Sequence, residues 1–365
     1  MTARPRSTRS RSRRKGPAAL EASLRSFVEA LCSPACAGRG AGTPAGEAAR
    51  ELVADAFRQA GYTPQLQAVP GCNGANLVAL APGEVDRWVL VGAHYDHLGV
   101  SEDQVFWGAD DNAAGVGVML EVARRLAVSP PAGRGVVFVA FDSEEPPHYL
   151  TPGQGAEQFV ETPVVPLASI DLMICMDLVG HALGPEALPD EVRRTLLAMG
   201  AERSEGTAEH VDRLSRAVPG VLVRRADIDS IPPNSDYESF RRRGVPFVFL
   251  TCGRWRHYHT PQDTPDRLDY AKLRAITDWV EILTRESCAR PEPTIVFRAD
   301  ARDDASTLRT IRELAVETGE LLPGKDQLLE ATEALLAACD ANGALPEERW
   351  SDLRALVENV EDAMA

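Results

Sequence analysis

Four short apolar runs, each followed by histidine or acidic side chains, constrain the fold of this chain more than any other feature. The runs cover residues 87–93, 136–141, 172–176 and 245–250. Their length and apolar character are typical of strands that are buried on both faces, as in parallel sheets. Because ligand sites in open α/β sheets lie outside the carboxyl ends of the strands, we predict an α/β fold with a polar site at that edge.

Candidate metal ligands occupy five short segments after or between these runs. Histidine nitrogens and carboxylate oxygens form a ligand mixture that zinc accepts without cysteine. A second carboxylate beside a ligand carboxylate, as in Glu144-Glu145, provides the base that metal-assisted hydrolysis requires. The segments are Gly92-Ala93-His94-Tyr95-Asp96-His97, Gly108-Ala109-Asp110-Asp111-Asn112, Asp142-Ser143-Glu144-Glu145, Met176-Asp177 and Tyr258-His259-Thr260.

Each segment alone also has an ordinary structural explanation. His94 could be a core or capping histidine, and the acidic residues 110–112 could cap the helix that begins near Ala113. The Glu pair could form a solvated turn, Asp177 a buried polar anchor, and Tyr258 a packed aromatic. Chance is a poor explanation for four separate strands that all deliver ligands to one edge, so we favour a metal site. The motifs give His97 no role of its own.

The chain resembles the co-catalytic zinc aminopeptidases, the group related to bacterial leucyl aminopeptidases and to the transferrin-receptor-like peptidases. The resemblance extends from about residue 31 to residue 288. Residues 38–46 are similar to the family's entry segment, residues 76–79 to its first strand, and residues 258–264 to its closing motif. It implies a mixed, mostly parallel central sheet flanked by helices, the zinc-peptidase fold.

The resemblance also implies how two zinc ions would be held. His94 and Asp177 would bind one ion, and Glu145 and His259 would bind the other. Asp111 would bridge the two ions. Cobalt or manganese would be alternative metals.

Further roles follow from the same resemblance. Asp96 would hold the imidazole of His94 by accepting a hydrogen bond from its other ring nitrogen, as carboxylates near metal-bound histidines do. Glu144 would be the general base, and Tyr258 would donate to the substrate carbonyl. The peptide bond between Asp111 and Asn112 would be cis.

The implied function is hydrolysis of the first peptide bond of a peptide or aminoacyl substrate with a free amino end. Two alternatives stay open: a glutaminyl-cyclase-like acyl transferase with one zinc, and a non-catalytic binding protein on a peptidase fold. The complete ligand set and the additional Glu144 favour the hydrolase. The chain departs from the family pattern after Glu145, where Pro146 and Pro147 predict an extended loop before a helix at residues 155–161. We expect this loop to border the substrate pocket.

Three parts are predicted along the 365 residues: a basic tail (1–16), a catalytic domain (17–290) and a helical extension (291–365) that could mediate self-association. The tail should be dispensable. Removing its seven basic residues from the net charge of −15 leaves −22 on the remainder, which argues against nucleic-acid binding.

No apolar stretch reaches the ~20 residues that span a bilayer. Seven irregularly spaced cysteines predict reduced thiols in a cytoplasmic protein.

Overall fold

The computed structural model describes residues 15–364, which form ten strands and eleven α-helices. The strands are β1 (Gln65–Val69), β2 (Gly74–Ala81), β3 (Val85–His94), β4 (Val100–Ser101), β5 (Gln104–Val105), β6 (Arg134–Phe141), β7 (Ile170–Met176), β8 (Thr195–Met199), β9 (Leu222–Ala226) and β10 (Phe247–Thr251). The helices are α1 (Pro17–Leu31), α2 (Pro44–Ala60), α3 (Gly115–Val128), α4 (Gly155–Glu161), α5 (Asp190–Arg193), α6 (Thr207–Leu214), α7 (Tyr237–Arg241), α8 (Tyr270–Cys288), α9 (Asp304–Thr318), α10 (Lys325–Leu336) and α11 (Trp350–Met364).

Within residues 15–364, one eight-stranded mixed sheet has the strand order β1-β2-β6-β3-β7-β10-β8-β9. Its central strands β6, β3, β7 and β10 run parallel to one another, and β8 and β9 form a further parallel pair. The remaining neighbours are antiparallel. This arrangement confirms the predicted mixed, mostly parallel sheet flanked by helices.

The register of the central strands brings their carboxyl ends to one edge. His94, the last residue of β3, is paired with Phe141, the last residue of β6. Met176, the last residue of β7, is paired with Leu250 of β10. Because these strands are parallel and end at similar heights, the segments that follow them emerge side by side.

Two hydrophobic layers cover the sheet, as the apolar runs require. In β3, Val89 and Val91 face one cluster, which includes Trp279 of α8, whereas Leu90 faces a second cluster, which includes Phe159 of α4. Successive strand residues point to opposite faces, so a strand between two such layers is apolar at almost every position. The four predicted strands and the helix at residues 155–161 are therefore present within a few residues of their expected bounds.

Two helices of the predicted C-terminal extension, α9 and α11, pack on the catalytic part of the same chain. Leu314 of α9 and Met364 of α11 share a cluster with Leu183 and Val192, which lie before and within α5. Residues of the segment also form a small core of their own, which contains Leu308, Leu335, Leu345 and Leu353. Self-association through these helices and the domain boundaries at 16 and 290 stay predictions. Residues 1–14 of the predicted tail lie outside the described residues.

Among the described residues, no helix combines the length and the apolar composition needed to cross a membrane. All seven cysteines are unpaired, and six of them are buried.

Candidate metal centre

All five predicted metal ligands lie together at the carboxyl edge of the central strands. His94 ends β3, Glu145 follows β6, Asp177 follows β7, and His259 lies in the loop after β10. Asp111 lies in the turn Ala109–Ala114 that precedes α3, and its own backbone there is not helical. The strand ends position four of the ligands, and the helix entry positions the fifth.

One group of possible ligands surrounds His94. Its Nε2 atom lies 3.4 Å from Oδ1 of Asp111 and 3.5 Å from Oδ1 of Asp177. One donor atom from each of the three residues lies within 4.8 Å of the others, as a shared cation would require. All three residues are buried.

A second group lies on the other side of Asp111. Nε2 of His259 is 3.2 Å from Oδ2 of Asp111 and 3.2 Å from Oε2 of Glu145. Asp111 therefore directs one oxygen toward each group, in the position of a bridging carboxylate. Asn112 follows it across a cis peptide bond, as the resemblance implied, and donates from Nδ2 to the carbonyl oxygen of Met176 at 2.7 Å.

His97, which flanks a predicted ligand but has no motif role of its own, also lies in this site. Its Nδ1 atom lies 2.7 Å from Oε1 of Glu145 and 3.9 Å from Oδ2 of Asp111. Donor atoms of His97, Asp111 and Glu145 all lie within 4.8 Å of one another, so His97 is an alternative to the half-buried His259 as the nitrogen ligand of the second group. The signal was its spacing, three residues after His94 in the same segment. The hydrogen bond to Glu145 suits a residue that orients this carboxylate.

Several polar atoms of this site are buried without hydrogen-bond partners, and they indicate whether the donor set fits a metal. Nε2 of His94 and Oδ1 of Asp177 are buried without hydrogen-bond partners, as is Nε2 of His97. An unsatisfied buried polar group costs roughly 1–3 kcal/mol, so such atoms need a compensating ligand. A cation between His94 and Asp177 would satisfy both, and the nitrogen and carboxylate donors match the preference of zinc.

The electrostatics of the buried carboxyls point the same way. Burial raises the pKa of Glu144 well above its usual range, and the neighbouring carboxylates of Glu145 and Asp236 raise it further. Burial acts in the same direction on Asp111, but the neighbouring imidazoles of His259 and His94 hold the pKa of Asp111 well below its usual range. Burial lowers the pKa of His94, yet Asp177 and Glu144 raise it well above its usual range. The site thus concentrates negative charge that favours a cation.

Asp96 supports the site differently from the role that the resemblance implied. Its Oδ1 atom lies 3.6 Å from Nδ1 of His94, which is nearer to the carbonyl oxygen of Asp96 itself, at 3.3 Å. Its carboxylate accepts hydrogen bonds from the backbone N–H groups of Glu144, at 3.1 Å, and Glu145, at 3.2 Å. Asp96 therefore fixes the turn that carries both glutamates.

Tyr258 stacks on His259, with ring centroids 3.8 Å apart and an angle of 21° between the rings. Burial raises the pKa of Tyr258, so its hydroxyl stays protonated and able to donate. Tyr258 also lines the cavity that adjoins Asp177.

Two buried charged residues that were not predicted as site residues hold the Asp111 turn. Asp263, in the quoted closing motif, accepts hydrogen bonds from the backbone N–H groups of Asp110 and Asp111. Arg39, in the quoted entry segment, is 0% exposed and donates to the carbonyl oxygens of Tyr95 and Asp111, among others. Neither motif alone showed what these side chains contact.

Asp236 is a third buried ionisable residue that was not predicted as a site residue. It is 0% exposed, accepts a hydrogen bond from Nε2 of Gln154 at 3.3 Å, and has an unpartnered Oδ2 atom. Burial raises its pKa to about 8, and the neighbouring Asp96 and Asp177 add to the shift, although His94 opposes it. Gln154 belongs to the predicted proline-containing loop, which therefore borders the site at Asp236.

Comparisons with known proteins agree with this geometry. A model of peptidase family M28 matches residues 76–283. The uncharacterized protein YfbL of Escherichia coli is 29% identical over 263 residues, which cover 65% of this chain and 79% of that protein. The glutaminyl-peptide cyclotransferase of Boiga dendrophila is 26% identical over 241 residues, which cover 58% of this chain and 65% of its own length.

Solved structures share the fold. The LapA aminopeptidase of Legionella pneumophila superposes with a TM-score of 0.60 at 17% identity, covering 74% of this chain and 73% of that one. The glutaminyl cyclase of Porphyromonas gingivalis gives a TM-score of 0.60 at 21% identity, covering 73% of this chain and 98% of that one.

Proposed function

The chain belongs to peptidase family M28, and we propose that it is an aminopeptidase with two zinc ions. Its substrate would be a peptide or aminoacyl compound with a free amino end, and the first peptide bond would be hydrolysed. The observation that carries the proposal is the position of Asp111, whose two carboxylate oxygens face two separate groups of possible ligands.

In this proposal, His94 and Asp177 would hold one ion, Glu145 and His259 would hold the other, and Asp111 would be shared between them. The short contact between His97 and Glu145 supports an orienting role for His97. The zinc ions, when bound, supply Lewis acidity: they lower the pKa of a bound water and polarise the substrate carbonyl.

Glu144 is the proposed general base. Its Oε2 atom lies 3.9 Å from Nε2 of His94, so it faces the same space as the ligands without belonging to either ligand group. Its backbone N–H is held by Asp96. Glu144 takes a proton from the attacking water, and the new C–O bond forms as that proton leaves. It then returns the proton to the amine nitrogen as the C–N bond breaks.

Tyr258 is the proposed donor to the oxygen of the tetrahedral intermediate. Its position against His259 and its place in the wall of the adjoining cavity support this role. A donor that is fixed before the reaction stabilises developing negative charge without reorganisation.

A second candidate function, cyclisation of an amino-terminal glutamine by acyl transfer, is favoured by the similar cyclotransferases and cyclase. The resemblance implies one zinc for that reaction. Two groups of possible ligands lie around Asp111, one with His94 and Asp177 and one with Glu145 and either His97 or His259, and this favours the hydrolase.

A substrate panel separates the two functions. The zinc-loaded protein is assayed with leucyl, alanyl and glutaminyl nitroanilides and with an amino-terminal glutaminyl peptide, and the products are identified by mass spectrometry. The aminopeptidase should release the amine and a free amino acid. Release of ammonia with a cyclic product from the glutaminyl peptide alone, and no hydrolysis of the nitroanilides, would assign the second function instead.

A further inference from the structure

A cavity of about 160 Å³ adjoins the candidate metal centre, and part of its wall comes from outside the family match. Asp177 and Tyr258 lie in its lining, so the cavity opens beside the proposed site of reaction. Helices α9 and α11, which follow residue 283, line it as well. A segment beyond the shared fold therefore contributes to the surroundings of the substrate.

Both parts of the chain contribute apolar side chains to the cavity. The sheet provides Leu197 and Met199 of β8 and Phe249 of β10. The C-terminal helices provide Ile311 and Leu314 of α9 and Val357 and Val360 of α11. Among the described residues that line it, none comes from the proline-containing loop at residues 146–156.

Charged groups lie only where the cavity meets the metal centre or solvent. The charged side chains in its lining, within the described part of the chain, are Asp177, Arg254 and Glu361. Asp177 is a proposed metal ligand. Arg254 and Glu361 form an ion pair at 3.0 Å, with side chains that are 55% and 27% exposed. A charged group that entered the apolar part would lose its hydration without a partner.

The helical part of this wall is fixed to the sheet by polar contacts as well as by packing. Thr310 Oγ1 donates to the carbonyl oxygen of Arg225 at 2.6 Å, and Thr307 Oγ1 accepts from the backbone N–H of Asp227 at 2.8 Å. Arg224, which is buried, forms ion pairs with Glu313 and Glu317 of α9. The wall is therefore built into the fold and suits a role in discrimination, because a pocket must be rigid to reject a side chain of the wrong size.

We propose that this cavity binds the side chain of the first residue of the substrate, and that α9 and α11 set its depth. The proposal rests on the proposed function, because it places the first carbonyl of the substrate beside Asp177. The cavity selects a large uncharged side chain, such as that of leucine, methionine or phenylalanine. One methylene in an apolar pocket is worth about 10–200-fold in kcat/KM, so leucyl substrates should exceed alanyl substrates by about 100-fold or more.

Val360→Phe tests the proposal, with Val316→Phe as the matched control. Val360 is half-buried in the cavity wall, whereas Val316 of α9 is 62% exposed. Filling the cavity with Val360→Phe should lower kcat/KM for a leucyl nitroanilide by about tenfold or more, because the space of one methylene changes kcat/KM by at least about tenfold. The alanyl substrate should change by less than about twofold, and the control should change neither. Val360→Ala, which enlarges the cavity, should shift preference toward phenylalanyl substrates.

Binding of free L-leucine and L-alanine, measured by calorimetry on the same proteins, provides a readout without turnover. Val360→Phe should weaken L-leucine and leave L-alanine unchanged. If no protein in the series, wild type included, hydrolyses any substrate but L-leucine binding is weakened selectively, the proposed function is wrong and the side-chain pocket is supported. An unchanged leucine-to-alanine ratio in both Val360 variants, in turnover and in binding, would overturn the pocket.

Discussion

Arg39→Met should both destabilise the fold and weaken metal binding, because the guanidinium of Arg39 holds the turn that carries Asp111. Arg39 is 0% exposed. It donates hydrogen bonds to four backbone carbonyl oxygens, of Tyr95 at 2.6 Å, Trp107 at 2.5 Å, Gly108 at 2.5 Å and Asp111 at 2.9 Å. These acceptors lie in or directly beside the two segments that contain the proposed ligands His94 and Asp111.

The magnitude follows from the acceptors that methionine would leave without a donor. The Trp107 oxygen keeps a bond from the thiol of Cys32, and the Gly108 oxygen keeps one from the backbone N–H of Ala113 at 3.3 Å. The oxygens of Tyr95 and Asp111 are left without a donor. Each buried orphan costs roughly 1–3 kcal/mol. Removing the guanidinium also removes the cost of burying it, which offsets part of this sum, so we expect a net loss of about 2 kcal/mol or more. At roughly 2 °C per kcal/mol, Tm should fall by about 4 °C or more.

Thermal unfolding in the presence of a chelator measures this loss without the contribution of bound metal. A competitive zinc titration should show affinity lowered by about 10–100-fold, as for other groups that orient metal ligands. Arg58→Met on the exposed face of α2 is the matched control and should change Tm by less than about 2 °C, because exposed ion pairs contribute little. Equal Tm values for the two variants, with unchanged zinc affinity, would refute the reasoning.

The remaining predictions concern catalysis and pH. Glu144→Gln should lower turnover by about 10²–10⁴-fold while zinc content stays at the wild-type value, because only the base is removed. Glu145→Gln should lose zinc first and activity with it; zinc loss in both variants, measured by elemental analysis, would place Glu144 among the ligands. Burial and Asp227 raise the pKa of Glu202 to about 8 in the folded protein, so the native state binds the additional proton and stability falls as pH rises toward that value. Tm should therefore drop more in the wild type than in Glu202→Gln between about pH 6 and pH 9, and parallel drops would contradict this.

The strands and the proposed ligands that follow them could be predicted because both depend on the local pattern of apolar and polar residues. A strand buried on both faces must be apolar at nearly every position, so the polar residue that ends it is conspicuous, as His94 and Asp177 are. The helix at residues 155–161 could be bounded because prolines exclude helix before it.

The remaining parts of the site depend on contacts between distant segments, which no local pattern encodes. Arg39 lies in a glycine-rich segment, and its acceptors lie 56–72 residues further along the chain. Asp236 is buried by the fold and follows no predicted strand. The helical extension could be predicted, but only the structure shows that α9 and α11 line a cavity with β8 beside the candidate metal centre.

The number of zinc ions held by each chain tests the central claim most directly. Metal-free protein is titrated with zinc and examined by native mass spectrometry, with Asp111→Asn as the comparison. The wild type should reach two zinc ions per chain, and Asp111→Asn should reach at most one, because Asp111 faces both ligand groups. Saturation of the wild type at a single zinc, or two zinc ions retained in Asp111→Asn, would contradict the dinuclear centre.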